Sequence, residues 1–514
     1  MINNRLNFAL KNRSYPGSID QSINLLYIMA VSNRLKNQHL LWRSAFGPMA
    51  ENAADLDNIS QKKLWELLLK TSAKKPDKID VAQNLVDGFI KGMKDVKDMA
   101  DLQKRELTAD QKKQIQQESR EDLKNLNLRW LGEMINSEAQ LREKMSLFWH
   151  GHFACRVMNS YYQQELLQVI RENALGNFKD LLKEVSKSPS MLQFLNNQQN
   201  RKQHPNENFA REVMELFTMG RGNYTENDVK EAARSFTGWG FNLQGEFVFR
   251  KMQHDDGRKT VLGKSGNFDG DDIINMLLEQ KQTARFITKK IYRYFVNDTV
   301  DEAKVEWLSD RFYKNDYDIK KLLEDIYLSD WFYDEKNIGT RIKSPVELLA
   351  GIRRLLPMEM QNDQSQLLFQ RTLGQILFYP PNVAGWPGGK NWIDSSSLML
   401  RLRIPQIISA NEAVDIRPKN DDDVSMGQMM DANMKKMQDA VKGGTATIEW
   451  AAVNKIFEKV PRENLLEKIS TTLLQTKSQV SNKVLDKYLN NESRENYIKS
   501  AVVNLMSTPE YQLC

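Results

Sequence analysis

The chain has 514 residues, of which 40% are hydrophobic and 27% charged, the balance of a soluble globular protein with room for a large core. The formal net charge is only +6, and basic and acidic residues are interleaved along the sequence, which argues against a nucleic-acid-binding protein. Two cysteines exclude a fold organised by disulfides, and no apolar run approaches the ~20 residues that span a bilayer.

The N-terminal extension, residues 1–32, contains a short apolar run that Asn24 interrupts. A secretory signal peptide has a longer and uninterrupted apolar region. The sequence therefore predicts a cytoplasmic protein by default and leaves a periplasmic location open. Met29 is an alternative to Met1 as the first residue of the protein.

Apolar residues recur at helical spacing over most of the chain, so we predict a mainly α fold with a small β-hairpin and loops rich in Gly, Pro and Trp. The main helical domain is predicted over residues 33–403. It includes an exposed helical arm at about 60–127, where charged and amide residues predominate. A flexible acidic and Met-rich linker or arm is predicted at 404–446, and a small C-terminal helical segment at 447–514.

The stretch from Asn200 to Trp239 combines a polar loop, a carboxylate-rich helix, a Gly-rich turn and a second helix. Pro205 suits the first turn of the first helix. Thr225 and Asp228 have the spacing of a capping box, which predicts the start of the second helix. Phenylalanines alternate with polar residues over 241–249 and predict a small β-hairpin.

The sequence His150-Gly151-His152 interrupts the helical pattern before it, and Gly151 permits such a break. Two residues apart on a helix, the imidazoles would point in nearly opposite directions, whereas in an extended segment they share a face. Together with His254 they predict a site for a divalent metal, Zn, Mn or Fe. The alternative is that hydrogen bonds satisfy each imidazole separately.

The helix predicted after Pro205 carries two candidate site residues. Glu212 neighbours the apolar stripe and is a candidate general base, because a buried carboxylate requires a cation, a histidine or a metal as its partner. Arg211 lies four residues from both Glu207 and Glu215, which predicts a charged ladder on one helix face. Arg211, and His204 from the preceding loop, are candidate substrate-binding residues.

His254 precedes two carboxylates, Asp255 and Asp256, on a predicted loop. These carboxylates are candidates for catalysis or for completing a metal coordination shell. An Asx-type turn is the alternative explanation for the same residues.

The segment 376–394 is too rich in Pro, Gly and Trp for regular structure. Its Asn382, Trp386 and Trp392 are candidate substrate-binding residues, since Trp beside amide and carboxylate groups is a common surface for polar, ring-shaped ligands. The same tryptophans would equally serve to pin a loop by their burial.

Several long motifs occur at residues 39–48, 141–153, 175–182, 199–239, 254–273, 342–349 and 378–398. Their sequences and their order resemble a bacterial family known as domain of unknown function 1800. The resemblance covers about residues 35–403, with a longer arm near 60–127 and a loosely matched tail after 405. It implies a largely helical soluble protein, and it brings no established catalytic residues. Genes of family members often lie beside genes of a second family that resembles sulfatases, which implies a sulfatase-like protein as a partner. Many family members also look exported.

Two functions fit this sequence. The first is a metal-dependent hydrolase acting on a polar substrate, in which a bound ion generates the nucleophile from water. The second is a non-catalytic helical binding or accessory protein that works with a partner. The familiar nucleotide, serine-hydrolase and His-Glu-x-x-His motifs do not occur in the sequence.

Overall fold

The protein is described here by a computed structural model that covers residues 31–83, 109–242, 244–410 and 446–514. Helices form most of this part of the chain, and its strands form three separate two-stranded antiparallel sheets. The predicted mainly α fold is therefore confirmed. No helix within these ranges has both the length and the apolar character needed to cross a bilayer. Most of the predicted N-terminal extension and linker, and the middle of the predicted arm, lie outside the described residues.

The first part of the chain is helical, and side-chain caps fix several helix starts. Ser32, Ser60 and Asn159 each accept a hydrogen bond from a backbone N–H in the first turn of the helix that follows. The helices are α1 (Asn33–Ser44), α2 (Gln61–Ser72), α3 (Ala109–Asn136), α4 (Gln140–His152), α5 (Ser160–Asn173), α6 (Phe178–Lys187) and α7 (Pro189–Phe194).

Helix α3 differs from the exposed arm predicted for its residues. Leu123 and Leu126 are buried, and the Asn127 side chain donates to Gln370 Oε1 at 2.9 Å. The few apolar residues of this charged sequence fall on one face of the helix, together with Trp130, and that face packs into the core. The end of the predicted arm is therefore part of the folded body.

Helix α4 continues through Gly151 to His152, so the predicted interruption of the helix at 150–152 is wrong. The helix ends only after His152, where the Phe153 N–H donates to the Trp149 carbonyl. Both histidines are buried against separate neighbours, and these contacts extend the helix past the glycine.

In the central stretch the first helix begins at Asn208, so the start predicted at Pro205 is wrong. Asn200 Oδ1 accepts from the Asn206 N–H and holds this loop out of helical geometry, while Asn206 Oδ1 accepts from the Asn208 N–H. The Thr225 capping box is confirmed. The elements are α8 (Asn208–Glu212), a π-helix (Val213–Met219) and α9 (Glu226–Ser235).

The predicted hairpin is confirmed, with Trp239 opposite Phe249 and Phe241 opposite Phe247. A second short hairpin follows it directly. The third sheet pairs residues far apart in sequence and connects the C-terminal segment to the main body. The strands are β1 (Trp239–Phe241), β2 (Phe247–Phe249), β3 (Lys259–Val261), β4 (Lys264–Gly266), β5 (Met358–Met360) and β6 (Ala446–Ile448).

Helices dominate the rest of the described chain. They are α10 (Gly270–Leu278), α11 (Lys281–Phe295), α12 (Glu302–Lys314), α13 (Ile319–Tyr327), α14 (Pro345–Leu355), α15 (Gln364–Thr372), α16 (Ser395–Ala410), α17 (Trp450–Ile456), α18 (Leu465–Leu473), α19 (Asn482–Leu485) and α20 (Arg494–Met506).

The C-terminal segment shares a hydrophobic core with the main body. Side chains of α14, α15 and α16 pack with those of 446–514, and Trp42 of α1 joins them. The backbones of Arg341 and Cys514 exchange two hydrogen bonds, of 2.8 and 3.1 Å. Cys514 and Cys155 are both buried and form no disulfide.

Candidate functional site

A cleft of about 550 Å³ opens between the last turn of α4, the second half of α11 and the loop at 384–392. Aromatic rings and cationic side chains dominate its lining. Of the residues singled out from the sequence, three line it: His152, Trp386 and Trp392. The other lining residues important for its chemistry are Lys290, Arg293, Arg341, Lys390 and Asp298.

His152 is buried at the end of α4, where both of its ring nitrogens have partners. Nε2 lies 3.2 Å from the Phe217 carbonyl oxygen, and Nδ1 lies 3.0 Å from Lys290 Nζ. Because a carbonyl oxygen can only accept, Nε2 is assigned the proton and Nδ1 accepts from Lys290. Burial, and next the charge of Lys290, hold the pKa of His152 well below its usual range. His152 is therefore a neutral imidazole.

Lys290 carries its amine into the cleft wall among neutral partners. Nζ donates to His152 Nδ1 and to the Leu216 carbonyl at 3.3 Å, and it lies 5.0 Å from the centre of the Phe286 ring. In the described part of the chain, no ion pair joins Lys290 to a carboxylate. Burial lowers the pKa of Lys290 to about 8. About a tenth of the amine is therefore uncharged at neutral pH.

Two backbone carbonyls of the π-helix accept hydrogen bonds from Lys290 and His152. Leu216 and Phe217 belong to its last turn, where helix carbonyls lack intrahelical partners and the helix dipole favours cations. Gly220 ends this helix at φ +78°, and a Cβ there would lie 2.8 Å from the Phe286 ring. The stretch 200–239 thus forms the support behind one wall of the cleft, and π-helical turns occur frequently at functional sites.

The cleft has an excess of positive charge. Arg341 lies at its inner side and donates to both carboxylate oxygens of Glu347, at 2.9 and 3.0 Å. Arg293 and Lys390 are exposed. Among the described residues that line the cleft, Asp298 carries the only carboxylate. Such a lining favours an anionic ligand.

The tryptophans reach the cleft because their loop rests directly on the end of α4. Gly385 adopts φ +84°, and a Cβ on it would lie 2.3 Å from the Gly151 carbonyl oxygen. Only glycine permits this approach. Trp386 is partly exposed and Trp392 is buried at the edge of the cleft. The partly exposed indole of Trp386 offers a surface for a planar ligand.

His150 fixes the same loop from the other side of α4. Its Nε2 accepts from the Phe378 N–H at 3.1 Å, and its ring contacts those of Trp130, Phe378 and Trp386 at centroid distances of 5.0 to 5.4 Å. Burial lowers the pKa of His150 to about 3. His150 is therefore neutral and holds the loop that carries Trp386.

Two predicted substrate-binding residues are exposed and do not line the cleft. His204 lies in a tight turn, where its N–H donates to the Arg201 carbonyl at 2.9 Å. Asn382 uses its side-chain oxygen to accept from the Ala384 N–H at 2.9 Å. Asn382 thereby shapes the turn that precedes Trp386.

Arg211 and Glu212 likewise lie away from the cleft lining. Arg211 forms ion pairs with Glu207 at 2.9 Å and Glu226 at 2.7 Å, so the ladder predicted through Glu215 exists only on its Glu207 side. Glu212 is half-buried, and burial followed by the nearby Glu215 raises its pKa. No contact of Glu212 among the described residues assigns it a catalytic role.

The loop with His254, Asp255 and Asp256 forms a separate network. His254 Nδ1 lies 2.9 Å from the Thr237 carbonyl oxygen, which indicates a proton on that nitrogen. Asp255 forms a bidentate pair with Arg234, at 2.7 and 3.2 Å, and this pairing lowers the pKa of Asp255. Asp255 also accepts from the Gly257 N–H at 2.8 Å, as in an Asx turn. Asp256 is exposed.

The predicted metal ligands do not meet in this conformation. His150 faces the Phe378 loop, His152 faces the π-helix, and His254 faces the turn after α9. Within 31–83, 109–242, 244–410 and 446–514, no three His, Cys, Asp or Glu side chains are grouped as metal ligands. These residues therefore do not fit a shared ion as they are placed here, and the divalent metal stays a prediction.

Sequence reasoning missed the cationic side of the cleft. Lys290, Arg293 and Tyr294 share one face of α11 with Phe286, at spacings of three and four residues. That pattern was available in the sequence, since two cations and two aromatic rings on one helix face are unusual for a purely solvated surface. Arg341 carried no local signal, because its place in the cleft depends on a contact with the distant α11, where its guanidinium lies 4.3 Å from the centre of the Tyr294 ring.

The comparisons with known proteins identify a family and nothing closer. The family model described as "Protein of unknown function (DUF1800)" matches residues 39–513. The match extends over the tail after residue 405, for which the sequence resemblance was loose. No curated protein and no solved structure matches the chain.

Proposed function

This chain belongs to the DUF1800 family, and we propose that it binds in its cleft a small molecule carrying an anionic group beside a planar ring. The anionic group would lie against Lys290 and the neighbouring guanidinium groups. The ring would pack on Trp386 and Trp392. A cleft of about 550 Å³ has the size of sites that enclose small ligands.

A single observation carries the proposal: Lys290 lines the cleft, and its amine has no carboxylate partner among the residues that the structure describes. A partly buried cation normally pairs with a carboxylate, because its desolvation is otherwise uncompensated. The acceptors of the Lys290 amine within the described ranges are an imidazole and a carbonyl. An incoming anion would supply the missing charge and form charge-assisted hydrogen bonds.

Calorimetric titration with benzenesulfonate tests the proposal, because this probe has one anionic group and one ring. Saturable binding is expected, weakened about tenfold or more by Lys290→Met, since a charge-assisted hydrogen bond contributes about 1.5–3 kcal/mol. Lys289→Met is the matched control, because Lys289 pairs with Glu302 on another face of the same helix. Benzyl alcohol, the same ring without charge, should bind far more weakly. Failure of benzenesulfonate to bind, or equal losses in both variants, would refute the proposal.

The histidine pattern still predicts that the protein is a metal-dependent hydrolase. A non-catalytic binding or accessory role is the alternative to that prediction. In the hydrolase, His152 would have to exchange its contacts with Phe217 and Lys290 for a metal ion. Elemental analysis of the purified protein and of His152→Ala tests this. Stoichiometric metal that disappears in the variant would support hydrolysis, and metal content unaffected by the substitution would rule out His152 as a ligand.

A further inference from the structure

We propose that Lys290 is a reactive amine that forms an imine with the carbonyl group of its ligand. The ligand class is an aldehyde or ketone that also carries an anionic group. This inference rests on the proposed function, since the same cleft must first hold the anion. It adds a covalent step that anion binding by itself does not require.

The surroundings of the amine carry this inference. Imine formation needs a lysine that reaches a ligand cavity and is not held as an ammonium by a carboxylate. Lys290 meets both conditions within the described part of the chain, because this residue lines the cleft and its Nζ donates to His152 Nδ1 and to the Leu216 carbonyl instead of to a carboxylate. Lys144, by contrast, is buried against Glu347, where an ion pair maintains its charge.

The cleft also positions the carbonyl compound. Arg293 and Lys390 line it together with Lys290, so an anionic substituent can pair with one of them while the carbonyl carbon approaches the amine. Trp386 offers a ring surface in the same cavity. Holding the two reactants together makes the addition effectively intramolecular.

The step balances without any further reactant. The uncharged amine attacks the carbonyl carbon, a C–N bond forms, and the oxygen takes up a proton from the nitrogen to give a carbinolamine. The nitrogen then loses its second proton to the departing hydroxyl group as the C–O bond breaks, which leaves an imine and one water. His152 Nδ1, 3.0 Å from Nζ, is placed to relay these protons.

The test is reductive trapping with 4-formylbenzenesulfonate and borohydride, followed by peptide mass spectrometry. The expected result is a secondary-amine adduct at Lys290 that forms at least about tenfold faster than at Lys289, because Glu302 holds the Lys289 amine as an ammonium, whereas the Lys290 amine contacts an imidazole and a carbonyl. Excess benzenesulfonate should suppress it, and Lys289→Met should retain it. Labelling of Lys290 no faster than of Lys289 would overturn the inference.

Two variants keep this result separate from folding and from anion binding. Lys290→Arg retains the positive charge and should still bind benzenesulfonate, yet it cannot form the adduct. Lys290→Met should lose both, with an unchanged thermal unfolding curve as the check on its fold. Benzenesulfonate binding without an adduct at Lys290 would reject the imine alone. Absence of both would reject the imine and the anion site together.

Discussion

Lys144 Nζ and Glu347 Oε1 lie 2.5 Å apart in the interior, where each side chain is at most 1% exposed. The pair connects α4, which ends at His152, with α14, whose side chains belong to the hydrophobic core shared with the C-terminal segment. Arg341 of the cleft donates to both oxygens of the same carboxylate. Burial alone would raise the pKa of Glu347, but Arg341 and Lys144 hold it well below its usual range. One carboxylate thus supports two buried cations and the inner side of the cleft.

Replacing this carboxylate should destabilise the protein strongly. Glu347→Gln leaves Lys144 and Arg341 buried without a counter-charge, and breaking a buried pair in this way costs about 3–5 kcal/mol. Urea denaturation followed by circular dichroism measures the loss. The control is Glu302→Gln, because Glu302 pairs with Arg285 and Lys289 at the surface, where ion pairs contribute little and the change in stability should be small. Similar losses in both variants would contradict the role assigned to Glu347.

Because His150 is buried as a neutral imidazole, the free energy of unfolding should fall as the solution becomes acidic. Its pKa is about 3 in the folded protein and near 6.5 when exposed, so unfolding takes up a proton between these values. The stabilisation is fully present above about 6.5 and is lost as the pH falls towards 3, at about 1.4 kcal/mol per pH unit. His150→Gln should show a shallower decline of the unfolding free energy. His204→Gln, at an exposed position, should keep the slope of the parent protein; an unchanged slope in His150→Gln would be the contrary result.

Alanine should be destabilising at one glycine of the loop at 384–392 and nearly neutral at another. Gly385→Ala introduces a Cβ that meets the Gly151 carbonyl at 2.3 Å and forces a side chain into φ +84°. A destabilisation of about 1–3 kcal/mol is expected, because strained backbone positions cost that much. Gly388→Ala meets open space and should change the melting temperature little. Gly385→Ala should also weaken benzenesulfonate binding, because moving the loop away from the Gly151 carbonyl displaces the next residue, Trp386, which lines the cleft.

The local features of the fold were predictable from the sequence. The start of α9 follows from Thr225 and Asp228, and the end of the π-helix from Gly220, because capping and left-handed backbone depend on neighbours within a few residues. The hairpin at 239–249 followed from alternation in the same way. The start of α8 was missed because it is set by the Asn200 side chain, which is a contact across a loop.

The cleft was only partly predictable, since its composition depends on contacts between distant segments. His152, Trp386 and Trp392 line the cleft. The roles that the sequence assigned to them, a metal ligand for His152 and substrate binding for the tryptophans, stay predictions. The sequence does not distinguish Lys289 from Lys290. The orientation of α11 against the π-helix places Lys290 beside His152 and Lys289 at the surface, where it pairs with Glu302. The separation of His150 from His152 likewise follows from the continuation of α4 through Gly151.

The pH dependence of anion binding should identify Lys290 as the responsible charge. Burial lowers the pKa of this amine to about 8, so the free protein loses the positive charge as the pH rises through that value. Affinity for benzenesulfonate, whose own charge does not change there, should fall by up to about tenfold per pH unit above 8, by proton linkage. Bound anion should in turn raise the pKa of Lys290, because it favours the ammonium. Lys290→Arg keeps its charge throughout this range and should bind with a flat profile. A parental profile that is equally flat would assign the binding to the guanidinium groups of Arg293 and Arg341, and the amine would then have no part in holding the anion.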